Sequence, residues 1–292
     1  MLAWQAVSRA VSGAVSKALA LGLALGGGVC APAISAGADN PPPQRVVSIN
    51  LCTDQLAMLL AGQGQLVSVS HLAVDPMASA MVAEARAYQI NHAQAEEIFR
   101  LAPDLVLAGQ WSNPHTIDLL RRLGIDVVQF APETGFDDLR ANIFRMGAVL
   151  GRPAEAEALR ARFEADLAAL RREAAERPLA LMHHANNYSS GDASLAHEIL
   201  LAAGWDNAAV AAGLAGGPVA MELLVMLTPD LVVSSRRFPG ASRAEEVLDH
   251  PAMAALRDRS RRAALSDAEW ICGTPHVLNA VARLAGLHEA PQ

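Results

Sequence analysis

Two stretches of this chain share one phrase: EEIFRLAPDLVLAG at residues 96–109 and ELLVMLTPDLVVSS at residues 222–235. In each copy a glutamate stands seven residues before a proline, and the proline is followed by Asp-Leu-Val. The copies start 126 residues apart, far longer than the roughly 20 to 50 residues of a solenoid or propeller repeat. The repetition predicts two similar lobes, each with one helix-turn-strand unit.

The residues around the first copy alternate between short apolar strands and helices. Strands are predicted at RVVSIN (45–50), QLVSVS (65–70), DLVLAG (104–109) and DVVQF (126–130). Between them, LCTDQLAMLLAG predicts a helix that Thr53 or Asp54 can cap, and NPHTIDLLRRLG one that Asn113 caps. Such alternation is typical of a parallel sheet covered on both faces. It predicts a first α/β lobe at residues 39–135.

Residues 136–177 carry no strand pattern and are broken only at Gly-Arg-Pro. Ala156, Leu159, Phe163, Leu167 and Leu170 are spaced three and four apart, which predicts one apolar helix face. A helix from Pro153 to Glu176 would be about 35 Å long. Strand and helix patterns return from Pro178 onward, so a second α/β lobe is expected at 178–292. The predicted fold is two Rossmann-like α/β lobes, with mainly parallel sheets, joined by a single long helix.

The first 38 residues have the pattern of a secretory signal. Arg9 and Lys17 are their only charged side chains, and an apolar run follows that ends in small residues before a polar stretch. The run is interrupted by glycine and is shorter than the roughly 20 residues of a membrane span. We expect cleavage near Ala36 or Ala38 and a periplasmic location. A lipoprotein attached at Cys30 is a less favoured alternative, because Gly27 stands where a lipobox has leucine.

Charge composition excludes several function classes. The formal net charge is −7, which gives no sign of the basic face that binding to nucleic acid or an anionic membrane requires. Lys17 is the only lysine, so residues 39–292 contain none. Schiff-base lysines, lysine general bases and the lysine of a phosphate-binding loop are therefore excluded from that part of the chain.

With these features the chain resembles the periplasmic substrate-binding proteins of the cobalamin and ferric-siderophore class, which deliver their ligands to ABC importers. The resemblance covers residues 45–287 and is carried by RVVSINLCTDQL, the two repeated stretches, GDASLAHEILLAAGW and WICGTP. It implies two lobes bridged by one helix, a ligand held in the cleft between them, no catalysis and no cofactor. It also implies a membrane permease dimer as partner and a monomeric carrier.

The resemblance gives the repeated phrase a function. In this class an exposed glutamate in each lobe meets arginines of the permease, and the matching residues are Glu96 and Glu222. The alternative for either residue is that a first-turn acid merely stabilises its helix dipole. Two matched acids, one per lobe, favour docking, with Glu97 as the neighbour most easily confused with Glu96.

Ligands of open α/β sheets bind beyond the carboxyl ends of the strands. The loops there contain aromatic side chains on which a flat ligand could stack, and Trp270 also matches a cleft-lining Trp of the resembled class. The alternative is that these rings only close the core. The predicted ligand-binding residues are Asn50, Cys52, Thr53, His71, Trp111, His183, Tyr188, Arg236 and Trp270.

The histidines and cysteines leave alternatives open. His71, His183 and His184 show no metal-ligand spacing, and His183 and His184 should point to opposite faces of a strand. We predict no metal site. Cys52 and Cys272 fall in different lobes, so a bridge would staple the lobes together, and free thiols or a metal-holding role are the other interpretations. Arg236 and Arg237 either clamp an anionic group or form a solvated turn.

We therefore predict the solute-binding component of an ABC importer that captures a metal chelate, either a ferric siderophore or a cobalamin-type corrinoid. A free-metal or heme carrier is the alternative. An enzyme with His183, His184 or Cys52 as acid, base or nucleophile is disfavoured, because no GxSxG elbow, HExxH helix or phosphate loop occurs in the sequence.

Overall fold

The computed structural model describes residues 41–173, 176–237, 239–240 and 242–288. The predicted signal segment at 1–38 lies outside these residues. Within the part of the chain that is described, no helix is both long and apolar enough to cross a bilayer.

The first sheet has five parallel strands in the order β3-β2-β1-β4-β5. Its β-branched and leucine-rich central strands are buried because helices cover both faces. The strands are β1 Val46–Ser48, β2 Leu66–Ser70, β3 Gln89–Asn91, β4 Leu105–Gly109 and β5 Asp126–Phe130, and the helices are α1 Leu51–Leu60, α2 Val82–Ala85, α3 Ala95–Arg100 and α4 Pro114–Arg122.

The link between the sheets is two helices, α5 Phe136–Leu150 and α6 Pro153–Leu170. Gly151 ends α5 in the left-handed conformation (φ 69°), and Pro153 is the first residue of α6. The prediction of a helix from Pro153 to Glu176 is wrong at its C-terminal end, because α6 ends at Leu170. Arg171 turns the backbone to an extended conformation, and the Arg172 N–H donates to the Ala202 carbonyl of the second lobe instead of continuing the helix.

The second sheet has four parallel strands in the order β8-β6-β10-β11, and a two-stranded antiparallel ribbon pairs β7 with β9. The strands are β6 Leu179–His183, β7 Tyr188–Ser189, β8 Asp206–Asn207, β9 Gly217–Pro218, β10 Leu231–Ser235 and β11 Arg261–Leu265. The helices are α7 Leu195–Ala202, α8 Ala208–Ala211, α9 Met221–Met226, α10 Pro251–Arg259 and α11 Leu278–Gly286. Both lobes therefore have an α/β fold built on a parallel sheet, as predicted.

One large apolar core connects the two sheets through the linking helices. It contains side chains of both sheets, such as Leu107 and Met182, together with Phe136 of α5 and Phe163 of α6, whose rings meet edge to face. Separate cores lie on the other face of each sheet, with Ile98 of α3 in one and Leu224 of α9 in the other. Helices α3 and α9 thus cover the sheet faces that point away from the shared core.

The repeated phrase forms the same local structure twice. Helices α3 and α9 each have six residues and are followed by a non-glycine residue with positive φ, Ala102 (45°) and Thr228 (42°). A Pro-Asp pair then leads into β4 or β10. Both copies are therefore helix-turn-strand units, as the sequence predicts.

Candidate functional site

A cavity of about 510 Å³ opens at the carboxyl ends of β6, β10 and β11. Its volume falls in the usual range for small-molecule sites, and its position is where open α/β sheets bind ligands. The residues that line it come from the three loops that follow these strands, from the β7 start and from the segment after residue 241: His184, Ala185, Tyr188, Ser235, Arg236, Ser242, Glu245, Asp267, Trp270 and Ile271.

The centre of this cavity wall is a stacked pair of rings, His184 and Trp270. Their centroids are 4.8 Å apart with an interplanar angle of 18°. The Nδ1 atom of His184 lies 2.5 Å from the Ser235 hydroxyl. Burial, with a smaller contribution from His183, lowers the pKa of His184 to about 4, so its ring is neutral at physiological pH.

Two ring nitrogens of this pair have unmet hydrogen-bonding capacity. The Nε2 atom of His184 and the Nε1 atom of Trp270 are buried and make no hydrogen bond within the described residues. Buried polar atoms normally have partners, and leaving one without costs about 1 to 3 kcal/mol. Small movements of these rings on binding would let water or a ligand supply the missing partner.

Charged groups surround the stacked pair unevenly. Arg236 is exposed at the end of β10, while Glu245 and Asp267 line the same cavity. Burial raises the pKa of Asp267, and the neighbouring carboxylates of Asp75 and Glu245 raise it further. The cavity therefore has one guanidinium against two carboxyl groups, with a third carboxylate, Asp75 of the first lobe, close to its rim.

Three of the predicted ligand residues meet in this cavity: Tyr188, Arg236 and Trp270. Trp111 is 81% exposed and lines a separate cavity of about 270 Å³ beside α4 in the first lobe. His71 is exposed and stacks on His92 at 5.4 Å. The structure thus divides the predicted aromatic set between two places.

Asn50, Thr53 and His183 have local bonds. The Asn50 side chain caps α1 by accepting from the backbone of Cys52 and Thr53, so the prediction that Thr53 or Asp54 caps this helix is wrong. Thr53 is 2% exposed and bonds Ser48 and Asn50. His183 is fully buried and bonds Asn187. None of these three lines the cavity.

Sequence reasoning left His184, Glu245, Asp267 and Ile271 out of the site. The alternation of side chains along an extended strand could have identified His184, because His183 and His184 must point in opposite directions. In the structure His183 points into the interior and His184 lines the cavity. Ile271 directly follows Trp270 in the sequence, and Asp267 lies three residues before it. No sequence pattern marks Glu245.

Cys52 and Cys272 form a disulfide across 220 residues of sequence, with their Cα atoms 5.1 Å apart. The interpretations with free thiols or a metal-holding cysteine are therefore wrong for this structure. The lobes approach here because the start of α1 and the loop after β11 pack into a small apolar cluster with Leu51 and Ala78. Cys52 is consequently part of a covalent bridge between the lobes and does not line the cavity.

The two predicted docking residues, Glu96 and Glu222, are exposed side chains. Each is the second residue of its helix, α3 or α9. Glu97, the neighbour of Glu96, is engaged locally: its carboxylate accepts from the His92 N–H and lies 3.5 Å from the His92 ring nitrogen. Arg237, which follows Arg236 in the sequence, does not line the cavity. Its guanidinium pairs with Asp249 at 2.5 Å.

Among the described residues, no group of three or more His, Cys, Asp or Glu side chains is placed to hold a metal ion. The cavity instead combines flat aromatic rings, hydroxyl groups and a few charges. These groups can recognise an organic molecule by stacking and hydrogen bonding.

A curated relative is the cobalamin-binding protein of Halobacterium salinarum, which is 27% identical over 198 residues. That match spans 66% of this chain and 54% of the relative, so the chain matches about half the length of the relative.

Several solved structures share the fold. The periplasmic heme-binding protein RhuT of Roseiflexus sp. RS-1 superposes with a TM-score of 0.68 at 25% identity, covering 83% of this chain and 96% of RhuT. The vitamin B12-binding protein BtuF of Vibrio cholerae has a TM-score of 0.62 at 20% identity, covering 86% and 99%. A Fe3+-hydroxamate transport protein of Saccharomonospora viridis has a TM-score of 0.63 at 21% identity, covering 85% and 94%.

The family model described as periplasmic binding protein matches residues 46–257, which include both sheets except for the last strand, β11. Members of this family are non-enzymatic carriers. The match covers most of the chain and agrees with the superpositions, and therefore the chain belongs to the periplasmic binding protein family.

Proposed function

We propose that this protein captures a metal chelate with a planar macrocycle, a corrinoid in the first place, and delivers it to the permease of an ABC importer. The observation that carries this proposal is the stacked His184–Trp270 pair, whose Nε2 and Nε1 atoms lack partners at the wall of a ligand-sized cavity. A flat ligand would extend the stack, and polar groups at its edge would satisfy these nitrogens.

The charges of the cavity favour a corrinoid over heme. Heme carries two propionates, whereas the described residues that line the cavity provide one guanidinium, Arg236, and two carboxyl groups, Glu245 and Asp267. Burying a second anion beside these carboxyl groups would raise the cost of binding. A corrin ring edged with neutral amides avoids this repulsion. The relative from Halobacterium salinarum is named for cobalamin, while RhuT is named for heme, so both ligands belong in the test.

Delivery requires a docking surface, and Glu96 and Glu222 provide matched charges for one. Both are exposed, and their helices lie on the sheet faces away from the shared core. We expect arginines of a permease dimer to meet them, one per lobe. We further propose that the carrier is monomeric and that the signal at 1–38 directs its export. Its first lobe spans 39–135, its linking segment 136–177 and its second lobe 178–292.

Titration with three probes tests the ligand class. Cyanocobalamin, hemin and a ferric hydroxamate would be added to the purified protein, with native mass spectrometry to count bound molecules and tryptophan fluorescence to measure affinity. We expect one cyanocobalamin per protein and much weaker hemin binding. Preferred binding of the hydroxamate would contradict the proposal of a macrocyclic ligand. Binding of none of the three probes would contradict the proposal that the ligand is a metal chelate.

A further inference from the structure

We propose that residues 267–274, here called the strap, work as part of the first lobe although the chain places them in the second. The Cys52–Cys272 disulfide and three hydrogen bonds hold the strap on the first lobe, and this attachment positions Trp270 for ligand. Cys52, Cys272 and Glu133 are then positioning residues for the ligand site. The inference rests on the proposed function in so far as the cavity beside Trp270 is taken to be that site.

The strap makes four connections to the first lobe. They are the disulfide to Cys52, the Ala268 N–H donating to the Met77 carbonyl at 3.2 Å, the Gly273 N–H donating to Glu133 Oε2 at 3.3 Å and the Thr274 hydroxyl donating to Gln55 Oε1 at 3.4 Å. They are distributed from the second residue of the strap to its last. The segment is therefore attached along its whole length.

Glu133 anchors one end of the strap from within the protein. Its other carboxylate oxygen accepts from the Asn142 side chain of α5 at 2.7 Å, and burial raises its pKa. Gly273 fits against it so closely that an added Cβ would lie 2.3 Å from Glu133 Cγ. Glycine is therefore required at this position for the two lobes to meet as they do.

The attachment has a direct consequence for the cavity. Trp270 and Ile271 lie between the connections at Ala268 and Cys272 and face His184 and Tyr188 of the second lobe. The second lobe also holds the start of the strap, because Glu269 of the 3₁₀ turn Asp267–Glu269 accepts from Ser266 and pairs with Arg283 of α11 at 2.8 Å. The connections to the first lobe fix the strap on both sides of Trp270. A wide opening of the lobes on this side would have to break the disulfide. The backbone that carries Trp270 is thus held in place before ligand arrives, which lowers the ordering cost of binding.

Hydrogen exchange without ligand tests the strap directly. In the double variant Cys52→Ser/Cys272→Ser we expect the amides of residues 268–274 to exchange at least tenfold faster through local opening, while the amides of β4 and β10 remain protected throughout the measurement. Peptide mapping under non-reducing conditions would first establish the Cys52–Cys272 link in the wild-type protein. Two further variants calibrate the result: Glu133→Ala should loosen the Gly273 end alone, and Arg237→Ala, outside the strap, should change nothing.

Reduction of the wild-type protein provides the same test without substitutions. Dithiothreitol gives two electrons and two protons to the disulfide and becomes its own cyclic disulfide, leaving two thiols on the protein. The strap amides should again exchange faster while circular dichroism stays unchanged. Equal exchange in the bridged, reduced and double-variant proteins would overturn the proposal, and so would free thiols in protein produced under oxidising conditions.

Ligand binding separates this inference from the proposed function. If cyanocobalamin binds the wild-type protein, the double variant should bind it about tenfold more weakly, mainly through faster dissociation. Unchanged affinity with a loosened strap would overturn the positioning role. If none of the three probes binds the wild-type protein, the proposed ligand class fails, while the exchange experiment still decides whether the strap belongs to the first lobe.

Discussion

Asp104 and Asp230 make equivalent contacts in the two lobes. Asp104 accepts hydrogen bonds from the Gln44 and Arg45 N–H groups at 2.7 and 3.0 Å, just before β1, and Asp230 accepts from the Leu179 N–H at 2.8 Å, at the start of β6. In both cases the aspartate N–H donates back to the carbonyl of a residue whose own N–H it binds, Arg45 or Leu179. In each copy of the repeated phrase, the aspartate therefore holds the start of the neighbouring strand in place by hydrogen bonds.

The first prediction concerns these two carboxylates. Asp104→Ala should lower the free energy of unfolding by about 1 to 3 kcal/mol, and Asp230→Ala by less, because Asp104 accepts two charge-assisted bonds and Asp230 one. Urea unfolding of both variants would measure the difference. Asp126, which begins β5 and is exposed, provides the control, and Asp126→Ala should have little effect. Equal losses in all three variants would contradict the assignment.

Trp270 should report ligand directly. Trp270→Ala should weaken binding by about 1 to 3 kcal/mol and abolish most of the quenching that a coloured chelate produces, because the stacking surface is lost. Fluorescence titration would measure both effects. Trp205 is the internal control, since it is fully buried and its ring N–H donates to Leu284. An unchanged affinity in Trp270→Ala would make that ring a core-filling residue only.

The two docking glutamates lead to a transport prediction. Reversing both, as Glu96→Arg with Glu222→Arg, should leave folding and ligand affinity intact, because exposed charges contribute about 0 to 1 kcal/mol to stability. Uptake, or ligand-stimulated ATPase activity of the transporter, should fall sharply because like charges then meet across the contact. Each single reversal should give a partial defect.

Glu97 provides the matched control for this experiment. Its carboxylate is held by the His92 N–H, so Glu97→Gln should leave transport close to normal. Full transport by the double reversal would show that the repeated glutamates reflect only the shared architecture of the lobes.

The disulfide should also contribute strongly to stability. Replacing both cysteines by alanine removes a bridge between residues 220 positions apart, for which the chain-entropy relation gives about 5 kcal/mol. The midpoint of urea unfolding should fall accordingly. The wild-type protein in excess reductant should match the variant, and a variant as stable as the bridged protein would contradict the prediction.

Stability should depend weakly on pH between about 4 and 6.5, because the two groups with the largest pKa shifts, His184 and Asp54, act in opposite directions. The pKa of His184 is lowered to about 4, so the unfolded chain holds a proton that the folded chain lacks, and stability rises with pH. The pKa of Asp54 is raised to about 6 by burial, so the folded chain keeps a proton that the unfolded chain loses, and stability falls with pH. Each effect amounts to about 3 kcal/mol.

Single variants would separate the two effects. In His184→Gln, stability should fall as pH rises through this window, because Asp54 remains. In Asp54→Asn, stability should rise with pH, because His184 remains. Unfolding by urea at several pH values would measure both slopes, and slopes of the same sign would contradict the assignment.

Much of the fold could be predicted because local pattern and tertiary structure agree. The strand DVVQF forms as predicted at Asp126–Phe130, and Asn113 caps α4 ahead of Pro114. The stripe from Ala156 to Leu167 is buried in the shared core. Short elements with weak patterns were missed: β3, Gln89–Asn91, contains only one apolar residue and forms because β2 pairs with it.

The site was harder to predict because it depends on contacts between distant segments. Tyr188, Arg236 and Trp270 could be placed together, since the carboxyl ends of parallel strands share one edge. Whether Trp111 joins them depends on the relative position of the lobes, which no local pattern encodes. The same holds for the cysteines, because their pairing requires two lobes to meet at a point that only the packed core defines.

The bridge also bears on the order of events when the protein is made. It connects the first helix of the first lobe to the loop that follows the last strand of the second, so every strand of the two sheets except β1 lies between the two cysteines. For an exported chain, the partner of Cys52 emerges only after the rest of both sheets has crossed the membrane. Formation of the bridge therefore marks the completion of assembly, and a reduced Cys52 identifies molecules that have not yet reached it.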